Sequence, residues 1–133
     1  MNEDLFHLGA KAIIHNQGKI LLLQKEKRGA LLWELPGGRL QKGETVEQTL
    51  LREIEEETKL TDLLEVEYVR TILTDIRIAL QEHDVGLVLA IYSCTHSNPQ
   101  IHLSEEHVGY DWFEPSEALQ HLGAAYLPVF RGL

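Results

Sequence analysis

Gly38-Arg39-Leu40-Gln41-Lys42-Gly43-Glu44 and, after seven intervening residues, Arg52-Glu53-Ile54-Glu55-Glu56-Glu57-Thr58-Lys59-Leu60 decide how this chain is read. These residues place five glutamates, a glycine-containing turn and two arginines within one loop and one helix. Glu53, Glu56 and Glu57 stand at i, i+3 and i+4, positions that share one face of an α-helix within about 100° of arc. Carboxylates so placed repel one another and disfavour the isolated helix. A divalent cation relieves that repulsion, and magnesium favours hard oxygen donors with phosphate completing its shell. Taken alone, an acidic triplet reads as a solvated helix face. An EF-hand fits poorly, because its ligands alternate along a loop.

The helix start is well marked. Thr45 is a good N-cap, and Gln48 three residues on completes a capping-box pattern. Val46, Leu50 and Ile54 recur at helical spacing, with Leu51 expected to widen the buried stripe. The carboxylates of Glu53, Glu56 and Glu57 lie beside that stripe, so a rigid core face would hold them.

Upstream, His7 to His15 and Lys19 to Lys25 read as strands. Asn16-Gln17-Gly18 between them signals a hairpin. Ile20-Leu21-Leu22-Leu23 is apolar throughout, as expected of a strand covered on both faces. Glu26 to Leu32 reads as a charged loop around Gly29, and Trp33 to Leu40 as short extended pieces around Pro36-Gly37-Gly38. Downstream, Leu64 to Ile76 and Val85 to Thr95 read as longer strands joined by the polar loop Gln81-Glu82-His83-Asp84. Asp111-Trp112-Phe113 reads as a last short strand, and Pro115 begins a helix. Strands with few helices imply an α+β layered arrangement.

The chain has 133 residues and is 44% hydrophobic, which suits one domain, residues 1–133, with a substantial core. Its net charge is -9, from 21 acidic and 12 basic residues. That argues against general affinity for nucleic acid or anionic membranes. A phosphorylated substrate stays compatible, because a bound metal inverts the local field. Cys94 is the single cysteine. It has no internal disulfide partner and, at the end of an apolar run, reads as a buried inert thiol in a reducing cytosol. Met1-Asn2-Glu3-Asp4 lacks a signal peptide's basic start and apolar core, and the longest apolar run, Val85 to Tyr92, is too short to span a bilayer. A cytoplasmic location is therefore expected.

The spacing Gly38-x5-Glu44-x7-Arg52-Glu53-Ile54-x-Glu56-Glu57 resembles the Nudix box, Gly-x5-Glu-x7-Arg-Glu-U-x-Glu-Glu-x-Gly-U, where U is aliphatic. Leu60 closes it, and Lys59 replaces the second glycine. A looser likeness in the strand pattern extends over nearly the whole chain. The resemblance implies a mixed β-sheet sandwiched between helices, an α/β/α arrangement. It implies metal-dependent hydrolysis of a diphosphate linkage in a nucleoside diphosphate derivative or nucleoside triphosphate, with Mg²⁺ as cofactor and Mn²⁺ as substitute. Glu53, Glu56, Glu57 and the Gly38 carbonyl would be the metal ligands. Arg52 would orient glutamates of the helix, against the plainer alternative of a surface ion pair. Glu44 would support the metal site, or serve only the helix N-terminus.

Ser104-Glu105-Glu106-His107 before Tyr110-Asp111-Trp112 resembles a second, weaker family feature, in which an acidic residue supplies a ligand or general base. Glu106 is preferred, with Glu105 and Glu82 as competitors. Arg39, Lys25, Lys27 and Arg28 are the candidate phosphate contacts. Trp33, Tyr110 and Trp112 suit core packing better than base stacking. The expected partner is a small-molecule nucleotide or other diphosphate. A homodimer is left open. The proline and tyrosine that mark ADP-ribose and dinucleoside polyphosphate hydrolases beyond the box are absent, so the substrate stays open within the class. A rival class is a Nudix-fold nucleotide sensor without turnover, disfavoured by the intact carboxylate set. A prenyl diphosphate isomerase using Cys94 ranks last. Lys59 is expected at the helix C-terminus, where the usual glycine takes positive φ.

Overall fold

The computed structural model describes residues 2–133, so Met1, the first residue of the acidic N-terminus, lies outside it. Strands β1 (Phe6–Asn16) and β2 (Lys19–Lys27) form the expected hairpin. Gln17 and Gly18 at its tip have φ of 51° and 79°, the paired positive values of a type I′ turn. Ile20, Leu21, Leu22 and Leu23 are all fully buried, so β2 is covered on both faces. The segment Glu26 to Leu32 is not the expected loop. β2 runs on to Lys27, and β3 (Ala30–Glu34) pairs back on it antiparallel. Arg28 and Gly29 make a second tight turn, with φ of 52° and 80°. Its charged and apolar side chains are exposed at the strand ends, which hides the strands from a burial pattern.

Strand β4 (Gly37–Arg39) pairs with β1, and helix α1 (Val46–Thr58) follows. The long β5 (Leu64–Ala79) and β6 (Asp84–Thr95) form an antiparallel pair. β7 (Gly109–Phe113) then adds to β2. Helix α2 (Pro115–Leu122), a 3₁₀ turn (Ala124–Tyr126) and the short α3 (Leu127–Phe130) complete the chain. The sheet order is β3-β2-β1-β6-β5, with β4 beside β1 and β7 beside β2. β1 and β6 run parallel and the other pairings are antiparallel, which makes the sheet mixed.

Alternate residues of the central strands point to opposite faces, and each face has its own core. On one side Ala10, Ala12, Ile14, Leu21 and Leu23 pack with Leu50 and Ile54 of α1. On the other, Ile13, Ile20, Leu22, Leu89 and Ile91 pack with Ala118 of α2 and Val129 of α3. Each large side chain so buried stabilises the fold by about 1.5–3 kcal/mol. The result is the expected α+β sandwich. Among the described residues no helix is long and apolar enough to cross a membrane.

Thr45 caps α1 as expected. Its hydroxyl accepts from the Gln48 amide, and the Gln48 side chain accepts from the Thr45 amide. Leu51, however, is 46% exposed and does not widen the stripe. Thr49, Glu57 and Thr58 are buried instead. The helix is therefore rotated so that its carboxylate side, rather than the Leu51 side, leans on the sheet.

Candidate active site

One guanidinium organises the outer half of the box. Arg52 Nε donates to Glu44 Oε2 at 2.7 Å and Nη2 to Glu44 Oε1 at 3.0 Å, a bidentate pair. Its Nη1 reaches Glu53 Oε1 at 3.0 Å and both oxygens of Glu56 at 3.2 Å. The Thr49 hydroxyl donates to Glu44 at 2.9 Å. Arg52 holds the Glu44 carboxyl below the usual carboxylate range. Burial pushes the Glu53 carboxyl up; Arg52 opposes that, while Glu56 and Glu106 reinforce it. One cation thus faces three carboxylates, and the surplus negative charge gathers on the side of α1 that meets β4.

Glu57 behaves differently. It is 4% exposed, and its Oε1 accepts from the Gly37 amide at 2.8 Å. Burial pushes its carboxyl up to about 7, against the opposing pull of Lys11, the Gly37 amide and His107. The two glycines are required here. Gly37 has φ of 141°, and a Cβ on it would collide with the Ala10 carbonyl. A Cβ on Gly38 would overlap the Glu53 carboxyl group, so its backbone lies directly against that side chain.

Beneath Glu57 lies a buried polar group. His107 Nε2 is 2.8 Å from Glu34 Oε2 and 3.8 Å from Glu57 Oε2. Glu34 Oε1 is 3.5 Å from Lys11 Nζ and 3.2 Å from Lys25 Nζ. Lys11 also donates to the carbonyls of Leu35 at 3.1 Å and Gly37 at 3.4 Å. Burial alone would raise the Glu34 carboxyl. The His107 bond and the two ammonium charges outweigh it and hold Glu34 at about 2. Glu34, Glu57 and His107 together have the spacing of a metal-ligand set, although Lys11 and Lys25 already supply positive charge to Glu34. Lys11, Glu34 and His107 escape sequence reasoning as site residues. The available signal was a charged residue inside an apolar stretch, Ala10-Lys11-Ala12-Ile13 and Trp33-Glu34-Leu35.

The remaining candidates are dispersed. Arg39 lines an open cavity of about 350 Å³ with His7, Leu40, Gln41 and Glu53, and its Nη1 lies 3.4 Å from His7 Nδ1. Lys25 is engaged with Glu34, whereas Lys27 and Arg28 are exposed at the β2–β3 tip. Glu105 and Glu106 occupy an exposed turn that ends in buried His107. Glu82 lies on the exposed turn beyond the Ala79–Asp84 pair, at the end of the β5–β6 hairpin. Cys94 is buried, and desolvation pushes its thiol up to about 12, which disfavours the thiolate that a nucleophile needs. Trp33 packs edge-on against Phe113 with centroids 5.0 Å apart. Trp112 packs against the α1-side core, and Tyr110 is exposed.

A family model described as NUDIX domain matches residues 5–131. The chain is 29% identical over 116 residues to the nucleoside triphosphatase NudI of Escherichia coli O139:H28, covering 82% of each protein. Its fold is similar to that of a MutT protein from Methanosarcina mazei Go1, with a TM-score of 0.77 at 23% identity over 99% of this chain and 95% of that one. It is also similar to the E. coli ORF135 protein, with a TM-score of 0.71 at 26% identity over 98% of this chain and 90% of that one.

Proposed function

Because the chain belongs to the NUDIX domain family and is a Nudix hydrolase, we propose that it splits a diphosphate linkage in a nucleoside triphosphate or nucleoside diphosphate derivative, aided by a divalent cation. The observation that carries this is Glu53 lying against the Gly38 backbone and Glu57 bound to the neighbouring Gly37 amide, with Arg52 gripping Glu44, Glu53 and Glu56 at once. The similarity to a nucleoside triphosphatase supports the substrate class.

The residues present fit a hard cation. The donors are carboxylate oxygens and a backbone carbonyl, the set magnesium favours. Glu57 Oε1 accepts from the Gly37 amide, while the basic neighbour nearest its Oε2, His107 Nε2, stands 3.8 Å away, so that oxygen has room for a ligand. Glu53, Glu56, Glu57 and the Gly38 carbonyl would hold Mg²⁺ or Mn²⁺. When bound, such an ion offsets the charge of the diphosphate oxygens and acidifies the attacking water.

The chain's own residues supply the rest. Arg52 keeps Glu53 and Glu56 in one orientation, so little reorganisation accompanies the reaction. Glu44 holds Arg52 from its other side. Glu106 is the preferred base for the water proton; it directly precedes His107, whose Nε2 lies 3.8 Å from Glu57 Oε2. Glu105 and Glu82 are the comparison acids. Arg39 opens into the same cavity as Glu53 and suits a phosphate oxygen; Lys27 and Arg28 add positive charge at the hairpin tip.

A phosphate-release screen over nucleotides with Mg²⁺ or Mn²⁺ tests the proposal, with EDTA as control. Glu56→Gln and Glu57→Gln, each alone, should remove most turnover. Glu106→Gln should lower it by roughly 10²- to 10⁴-fold, with Glu105→Gln and Glu82→Gln mild. Full activity in both box variants, or activity that survives EDTA, would reject the assignment.

A further inference from the structure

We infer that His107 and Glu34 are positioning residues, through which a closed ring of contacts holds the turn bearing Glu106 beside the helix bearing Glu53. The ring can be followed atom by atom. Glu57 Oε1 accepts from the Gly37 amide. The Gly37 carbonyl accepts from Lys11 Nζ, which also faces Glu34 Oε1. Glu34 Oε2 accepts from His107 Nε2, and that nitrogen is 3.8 Å from Glu57 Oε2. Five residues from α1, β4, β1, β3 and the Ser104–His107 turn are thereby joined.

The ring explains a buried charge group that metal binding alone does not require. Glu34 and Lys11 contact none of the exposed carboxylates, yet even their partial burial is costly unless they are paired. His107 directly follows Glu106, so fixing its ring fixes the backbone from which Glu106 projects. Two further ties flank the turn: the Val108 amide donates to the Gln24 carbonyl of β2 at 2.8 Å, and the His102 amide donates to the Thr58 carbonyl at the end of α1 at 3.2 Å. Without the His107 bond both flanks stay anchored, and the Ser104–His107 backbone between them is freed to move relative to Glu57. The tautomer follows as well. Glu34 is ionised and only accepts, so Nε2 carries the hydrogen. Nδ1 and the Ser104 hydroxyl oxygen are left buried with no other partner. Glutamine, whose amide nitrogen reaches the Nε2 position, should therefore replace His107 better than asparagine.

The inference rests on the proposed role of Glu106, and two measurements separate the two. The first is amide hydrogen exchange of metal-free protein in EDTA. His107→Ala and Glu34→Ala should speed exchange across Ser104 to His107 and at Gly37, while His107→Gln keeps the wild-type rates. The second is kinetics with the best nucleotide at saturating Mg²⁺. His107→Ala should lower kcat by about 10- to 100-fold with little change in KM, and His107→Gln should recover most of it. Combined with Glu106→Gln, His107→Ala should add no further loss. Unchanged exchange in both alanine variants, losses that multiply in the double variant, or no recovery with glutamine would overturn the ring's role. If wild-type protein hydrolyses no nucleotide, the proposed function falls, while the exchange rates still decide the ring. Should His107→Ala not fold, Glu34→Gln, which keeps an acceptor for Nε2, and His107→Asn carry the same comparison.

Discussion

Glu57 is a buried and Glu34 a partly buried carboxylate, both within a few ångströms of the same imidazole, and their environments push them apart. Glu57 is raised to about 7 and Glu34 is lowered to about 2. The stability consequences have opposite signs. The folded protein binds the Glu57 proton more tightly than the unfolded chain, so metal-free protein should lose stability as pH rises from about 4.5 through about 7. The loss is on the order of 3 kcal/mol. Glu34 contributes stability that is present above about 4.5 and lost as pH falls towards about 2, a separate window. Urea melts in EDTA at pH 5 and pH 8 should therefore show a fall for wild type that Glu57→Gln abolishes. Equal pH dependence in the two proteins would mean that Glu57 is better solvated than its burial indicates. Lys59 is the other telling residue. It caps α1 at φ 65°, ψ 10°, a left-handed conformation that a residue with a Cβ enters at a cost of about 1–2 kcal/mol. Lys59→Gly should raise stability by roughly 0.5–1 kcal/mol, after glycine's greater unfolded-state entropy is counted. Turnover should be nearly unchanged, since the carboxylates lie upstream. Thermal melts and kcat together check it.

Helix α1 is where the sheet and the chemistry meet. Its buried arc runs through Leu50, Ile54 and Thr58 and swings towards Thr49 and Glu57, leaving Leu51 in solvent. Two substitutions at adjacent positions separate this orientation from the amphipathic stripe expected from sequence. Leu50→Ala should cost about 2–5 kcal/mol, the usual range for a core leucine. Leu51→Gln should change stability by no more than about 0.5 kcal/mol. A large loss at Leu51 would show that the helix is rolled the other way, with Glu57 turned outward. The orientation matters because it gives the glutamates unequal roles. Glu53 and Glu56 are reached by Arg52, while Glu57 is pinned from below by the Gly37 amide.

At the scale of the whole molecule, a net charge of -9 opposes the approach of a polyanionic substrate. The positive side chains near the site are partly consumed, Lys11 and Lys25 by Glu34 and Arg52 by three glutamates. Long-range repulsion between the protein and a nucleotide should thus be screened by salt. The Debye length shortens from about 30 Å at 0.01 M to about 8 Å at 0.15 M ionic strength. KM for the nucleotide should accordingly fall as KCl is raised over that range at constant free Mg²⁺, with kcat steady. A KM that rises with salt would point to local attraction by Arg39, Lys27 and Arg28 as the dominant field.

What could be read along the chain was whatever depends on spacing within one element. The box from Gly38 to Leu60, the Thr45 cap, the doubly covered run from Ile20 to Leu23 and the first hairpin at Gln17-Gly18 are local patterns. Each has a periodicity or turn chemistry that survives without its neighbours. Lys59 was legible for a related reason, because it stands where the box places a glycine after the helix, a position of positive φ. The second hairpin at Arg28-Gly29 was not, since its exposed, charged strand ends carry no burial alternation. The roll of α1 was not legible either: Leu51 and Thr49 flank the same stripe, and only the sheet beneath determines which is covered. The largest gap was the group formed by Lys11, Glu34 and His107. These residues stand 23 and 73 positions apart in sequence; Lys11 and Glu34 interrupt apolar stretches, but nothing local says what they pair with. Only the stacking of β1, β3 and the Ser104–His107 turn under α1 buries them together. Desolvation then makes pairing obligatory, and this brings charges from distant parts of the chain into one site.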